Sequence, residues 1–132
     1  MNLLTMKTVI VISVLLVMPR DIQRKITGTE LASCGLRVAV ADRGVDAITR
    51  ALAERPDIVV TAMELPDMYG AELCQIFQTL DRLAGSRLIV LTSYGLDDPK
   101  VRALPCDVAV VRKGELFIED LSRWLIEWKI LS

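Results

Sequence analysis

The chain has 132 residues, 52% of them hydrophobic and 25% charged, with a formal net charge of −1. This is enough apolar material for one compact domain with its own core and too little length for a second. The balanced charge gives no electrostatic footprint for nucleic acid, whose binding rests on Lys and Arg neutralising phosphates, and the absence of histidine excludes a Ser-His or Cys-His nucleophile within one chain.

Lys7 followed by the apolar run 9–18 has the outline of a signal peptide, with a charged and then a hydrophobic region. Met18, Pro19, Arg20 and Asp21 offer no small-residue cleavage site, and the run falls short of the roughly 20 apolar residues that span a membrane. A buried first strand is therefore expected, with 1–8 as an extension of no assigned role. The spacing then predicts a helix over 20–33, with Ile22, Ile26 and Leu31 towards the core and Gly35 at its C-terminal end. A second strand is expected over 36–41. Asp42 can cap a helix over 45–54 carrying Ile48, Ala51 and Leu52, and Pro56 closes that helix.

The run 57–61 is short, apolar and β-branched, as a buried third strand requires, and Pro66, Asp67 and Gly70 mark a tight loop after it. A helix is expected over 71–83 through Leu73, Ile76, Phe77 and Leu80, and a strand over 87–92 ending in Thr92 and Ser93. Residues 97–104 read as a short polar helix, weakened by Pro99 and cut off by Pro105, with Asp97 and Asp98 as a solvated start. A fifth strand over 108–111 and a last helix over 119–129, with Leu121, Leu125 and Trp128 at core spacing, complete the pattern.

Five repeats of strand then helix imply an α/β fold: a three-layer, doubly wound, five-stranded parallel sheet with helices on both faces. The apolar runs are continuous, as expected for strands buried on both sides. One domain is expected over 1–132, its core about 13–130. In such sheets function sits at the carboxyl edge beside the reversal of strand order. That edge directs attention to 17–19, 61–64, Thr92, Ser93 and Lys113. Cys34, Cys74 and Cys106 are far apart and odd in number, so they read as reduced, mostly buried thiols of a cytoplasmic protein, without a disulfide framework or zinc site.

The segment 56–70, PDIVVTAMELPDMYG, resembles the third strand and following loop of response-regulator receiver domains. Their usual form is P-D, a hydrophobic run, an aspartate, three residues and P-D-x-x-G. The resemblance covers about 13–130 and implies the flavodoxin-like, CheY-like receiver fold. The family's phosphotransfer uses an acidic pair after the first strand to hold magnesium, an aspartate nucleophile after the third, a Thr or Ser after the fourth and a Lys after the fifth. Oxygen ligands suit the hard cation, cation and Lys stabilise the transferring phosphoryl group, and the hydroxyl couples its presence to the output face.

Carried onto this chain, the phosphoacceptor position is Ala62 and the acidic pair falls at Met18 and Pro19; a shifted alignment puts the pair at Ser13 and Val14. All three family carboxylates are absent, so magnesium binding is not expected. Glu64 and Asp67 lie just beyond and read as a solvated loop. Thr92 and Lys113 retain the family's residue types, although Gly114 replaces the usual proline and Val110 the usual aromatic switch residue. Lys113 then binds an anion or extends into solvent, the second being favoured.

Two readings of the last helix stay open. Trp124 and Leu125 diverge by about a hundred degrees, so both are not expected to be buried in a monomer. Phe117, Trp124 and Trp128 then mark a protein interface, or the two tryptophans close the end of a small core. The resemblance favours the interface, since the face of fourth helix, fifth strand and fifth helix is the family's docking and dimerisation surface.

The expected function is that of a pseudo-receiver in two-component signalling, not an enzyme and not phosphorylatable at the usual site. It would act by contact with a protein partner such as a histidine kinase, an output protein or a second copy, without nucleic acid or membrane. Two alternatives remain: an enzyme or ligand-binding domain using Thr92, Ser93 and Lys113 in the carboxyl-edge cleft, or the N-terminal regulatory domain of a longer transcriptional regulator. No G-x-G-x-x-G or P-loop follows the first strand to cradle a nucleotide.

Overall fold

The computed structural model describes residues 11–105, 107–114 and 117–128. Five parallel strands, β1 (Ser13–Val17), β2 (Arg37–Ala41), β3 (Ile58–Ala62), β4 (Arg87–Thr92) and β5 (Ala109–Arg112), form one sheet in the order β2-β1-β3-β4-β5. Between and after them run α1 (Ile22–Ser33), α2 (Gly44–Glu54), α3 (Gly70–Thr79), α4 (Pro99–Arg102) and α5 (Phe117–Glu127). This is the doubly wound, flavodoxin-like arrangement, with the reversal of strand order beside β1 and β3.

The period of two along each strand sorts the core into two layers. Leu15, Val17, Val59 and Val90 face α2, α3 and α4, where they meet Ala47, Ala51, Leu73, Phe77 and Val101. Val14, Leu16, Val60, Ala62 and Leu91 face the other way, against Leu31 of α1 and Phe117, Leu121 and Leu125 of α5. The central strands are therefore mostly apolar on both faces, because each face has a helix layer to satisfy, with Thr61 and Thr92 as the buried polar residues. At the amino edge, Asp57 ties β1 to β3 by accepting from Ser13 N at 2.8 Å and from Ser13 Oγ at 3.1 Å. This places Ser13 at the end of the sheet remote from the carboxyl-edge cleft, which removes the shifted placement of the acidic pair.

Several boundaries move for local reasons. The first strand occupies only 13–17 of the apolar run, whose residues 9 and 10, like the extension 1–8, lie outside the described residues. Helix α1 starts at Ile22 because Asp21 is its N-cap and accepts from Arg24 N at 3.0 Å. Ile26 proves exposed; Thr27 turns inward in its place, its hydroxyl satisfied by the Gln23 carbonyl at 2.8 Å. The Ile22 side chain lies outside what is described. Helix α3 stops at Thr79, and Leu83 reaches the core through a turn in which its N–H donates to the Leu80 carbonyl at 2.9 Å. Helix α4 shrinks to one turn, since Pro99 fixes its start and Asp98, more than a solvated charge, caps it through Lys100 N at 2.8 Å. Strand β5 is displaced one residue towards the C-terminus, and α5 begins two residues earlier than expected.

The cap of α2 is a correction. Asp42 does not cap it; its carboxylate pairs with Arg20 at 3.3 Å and closely with Arg24. The free N–H groups of the helix are instead met from the β3–α3 loop, where Asp67 accepts from Gly44 N at 2.8 Å and Val45 N at 3.0 Å. Asp67 is thus a structural carboxylate, not just a solvated loop residue. Desolvation opposes its charge, but the hydrogen bonds from Val45, Gly44 and its own backbone, with attraction to Arg43, outweigh this and hold its pKa below the ordinary 3.8. The same loop closes on Gly70, whose N–H donates to the Met63 carbonyl at 2.7 Å. A Cβ at Gly70 would stand 2.4 Å from the Ala62 carbonyl oxygen, so glycine is required by close approach to backbone.

Of the cysteines, Cys74 is buried, and burial with the nearby Asp107 charge pushes its thiol up to about 12, leaving it inert. Cys34 is exposed, against expectation, because it occupies the C-cap of α1; Cys106 lies outside the described residues. Among the described residues no helix is long and apolar enough to cross a membrane.

Two outcomes test this packing. Asp67→Ala should lower unfolding free energy by about 1 kcal/mol at neutral pH, as loss of a helix cap does. Because the folded-state pKa is depressed, this contribution is present above the ordinary carboxylate value and is lost as pH falls through the folded one. Urea melts of wild type and variant should therefore converge on acidification. Gly70→Ala should cost roughly 1–3 kcal/mol by overpacking against backbone, whereas Gly85→Ala, with nothing within 4 Å of the new Cβ, should leave the thermal midpoint nearly unchanged.

Candidate functional site

At the carboxyl edge, between the ends of β1, β3, β4 and β5, lies a cleft of about 230 Å³. It is lined by Pro19 and Asp21 after β1, Ala62, Met63 and Glu64 at the end of β3, Leu91, Ser93 and Tyr94 around the end of β4, and Lys113 after β5. Six of the positions singled out from sequence, Pro19, Ala62, Met63, Glu64, Ser93 and Lys113, do converge here. Topology explains this, since parallel strands deliver all their carboxyl ends to one edge.

The other four, Val17, Met18, Thr61 and Thr92, are buried and do not line it. Met18 is 1% exposed, packs in the core layer facing α1 and α5, and donates its N–H to the Ala41 carbonyl at 3.1 Å. Thr92 is fully buried, and its hydroxyl accepts from Tyr94 N at 3.0 Å. That hydroxyl shapes the β4–α4 loop and is not among the groups facing the cleft. Val110, at the family's aromatic position, is half-buried against the core.

Ala62 is 2% exposed and contributes a methyl group. Such a group has neither a lone pair for attack on phosphorus nor an oxygen for a cation. Two carboxylates do reach the cleft, but both are engaged. Asp21 is occupied as the N-cap of α1, and Glu64 accepts from the Tyr94 hydroxyl. Among the described residues no group of three or more carboxylate or thiol ligands is placed to hold a metal ion. A hard divalent cation takes oxygen ligands, carboxylates above all, and the two carboxylates of this cleft are already engaged. Lys113, its backbone N–H bonded to the Thr92 carbonyl at 2.7 Å, lines the cleft half-buried and makes no ion pair among the described residues.

Sequence reasoning passed over Asp21 and Tyr94 as members of the cleft and read Glu64 as merely solvated. The cap signal at Asp21, directly before a helical run, was legible. The pairing of Glu64 with Tyr94 was not, because it spans 30 residues and depends on how two loops meet.

The tryptophans lie at the other end of the sheet. Their rings are 5.6 Å apart and tilted by 47°, and the Arg87 guanidinium stands 5.0 Å from the centre of the Trp128 ring. They wall a groove of about 450 Å³ with Phe77, Leu88 and Val108 at the amino edge. Leu125 is fully buried and Trp124 only half, as their angular separation requires. Phe117 is 9% exposed and belongs to the core, so the three aromatics named as an interface do not form one surface.

A family model described as the response regulator receiver domain matches residues 14–113. The DNA-binding transcriptional activator DevR/DosR of Mycobacterium tuberculosis is 37% identical over 67 residues, covering 51% of this chain, and the chain spans 30% of that relative's length. The polar-differentiation response regulator DivK of Brucella anthropi is 22% identical over 117 residues, covering 86% of this chain and 95% of DivK. Among solved structures, the receiver domain of the sensor histidine kinase PA1611 of Pseudomonas aeruginosa PAO1, which carries magnesium in its active-site cleft, superposes with a TM-score of 0.76 at 20% identity. That superposition covers 90% of this chain and 98% of the other. With the receiver-domain match extending over most of its length and the fold agreeing, the chain belongs to the response regulator receiver domain family.

Proposed function

We propose that this receiver domain serves two-component-type signalling without aspartyl phosphorylation at the usual site, and that it works by contact with a protein partner. The observation that carries the reading is the buried methyl of Ala62 at the carboxyl end of β3. The surrounding groups support it. Met18 is buried in the core and Pro19 has no side-chain donor, so a replacement acid at position 62 would still lack a metal site beside it. Lys113 then stands in the cleft as the remaining charge-stabilising group of the family's set, and it offers no carboxylate to accept a phosphoryl group. The partner is a kinase, an output protein or a second copy meeting the domain in the cytoplasm, and neither magnesium nor nucleic acid takes part.

A second reading has one observation in its favour. The match to DevR/DosR, of which the chain spans 30%, supports a role as the regulatory part of a longer DNA-binding regulator. Contact would then be made within the same polypeptide. An enzyme built on Thr92, Ser93 and Lys113 is disfavoured by the commitment of the Thr92 hydroxyl to Tyr94 N.

The test is chemical. Incubated with acetyl phosphate and magnesium, the protein should show no phosphoryl adduct by intact mass, and Ala62→Asp alone should also remain unlabelled because the acidic pair is missing. A stoichiometric, acid-stable but hydroxylamine-labile adduct on the wild type would overturn the proposal.

A further inference from the structure

Glu64, Tyr94 and Lys100 come from three separate segments, the β3–α3 loop, the β4–α4 loop and α4. The Tyr94 hydroxyl donates to Glu64 Oε1 and accepts from Lys100 Nζ at 3.3 Å. The ammonium also stands 4.6 Å from the centre of the Tyr94 ring. A neutral phenol thus bridges a carboxylate and an ammonium, and both bonds are charge-assisted. The bond to Tyr94 and attraction to Tyr94, Glu64 and Asp98 outweigh desolvation and raise the Lys100 pKa.

The position of this trio gives it a consequence. On one side lies the 230 Å³ cleft, which Glu64 and Tyr94 border. On the other lies a second pocket of about 300 Å³ between α3 and α4, walled by Met63, Tyr69, Ala71 and Ala103 with Glu64 and Lys100 at its rim. Glu64 borders both. Helix α4 has a single turn with Val101 as its buried residue, and Leu104 anchors the chain just beyond it. The loop before it carries the exposed Leu96 and an open Gly95, so few other contacts hold this region. Thr92 completes the arrangement, since its hydroxyl fixes the Tyr94 backbone through the bond to Tyr94 N.

We infer that Glu64, Tyr94 and Lys100 form a latch that holds the β4–α4 loop and α4 against the β3–α3 loop, and that its release joins the cleft and the α3–α4 pocket into one groove. The retained Thr92 hydroxyl is a positioning group for this latch. The inference goes beyond the contact function proposed above and does not depend on it, because the latch uses none of Met18, Pro19 or Ala62.

Hydrogen–deuterium exchange of the full chain tests it, comparing wild type with Tyr94→Phe, which keeps the ring, and Glu64→Ala at an exposed position. Exchange across residues 93–104 should accelerate by about tenfold in Glu64→Ala, the effect of losing one hydrogen bond to a charged group, and by at least as much in Tyr94→Phe, which loses two. The double variant should be no faster than Tyr94→Phe, and peptides from α5 should be unchanged. Unaltered exchange over 93–104 in both variants would overturn the latch. So would full additivity in the double variant, or an equal acceleration in α5, which would mark general destabilisation. Should Tyr94→Phe fail to fold, Glu64→Ala decides by the same segment-against-α5 comparison.

Discussion

The turn at the end of β3 is the constraint on which the rest of the molecule depends. The chain must leave the strand and enter α3 with Gly70 pressed against the backbone of Ala62 and Met63. Only a residue without Cβ allows the Gly70 amide its bond to the Met63 carbonyl. Because that turn is fixed, Asp67 arrives at the start of α2 and supplies the cap that the helix's own sequence lacks. Gly44 extends the same fit, since a Cβ there would overlap the Met68 side chain of this loop. One loop thereby ties the central strand to two helices on the same face of the sheet.

None of these contacts needs the side chain at position 62 to do chemistry. The Pro, Asp and Gly of the loop act through backbone geometry and capping, and the strand before it acts through burial. This separation explains how a recognisable receiver scaffold coexists with a cleft whose nucleophile position is a methyl group. The family's scaffold and its phosphotransfer draw on different residues, so a change in one set leaves the other standing. The electrostatics of the cleft follow the same division. Its two carboxylates are held by a helix N-terminus and by a phenol, and its lysine lacks the acidic neighbours that the family's reaction places beside it.

The parallel sheet and the loop after β3 were legible in the sequence because they are written locally, in continuous apolar runs, β-branched residues and the spacing of Pro66, Asp67 and Gly70, whereas the strand order was implied only by the family resemblance. The convergence of Pro19, Ala62, Ser93 and Lys113 was legible too, since it follows from parallel topology alone. What escaped was set by contacts between distant segments. Asp42 has the right residue type and position for a cap, but Arg20 and Arg24 claim it, and the cap comes from 23 residues away. Ile26 fits a helical core pattern, yet Thr27 takes the inward position once its hydroxyl finds the Gln23 carbonyl. The roles of Thr92 and Tyr94 depend on how the β4–α4 loop turns back over the cleft, and no local pattern encodes that.

The central claim is that the cleft is preserved as shape and not as a phosphoryl site. The most direct measurement is an amide NMR titration of the protein with magnesium and fluoroberyllate, the mimic of a phosphorylated aspartate. The signals of residues 17–21, 61–65, 91–95 and 112–114 should not move. A saturable, stoichiometric shift confined to those residues would contradict it.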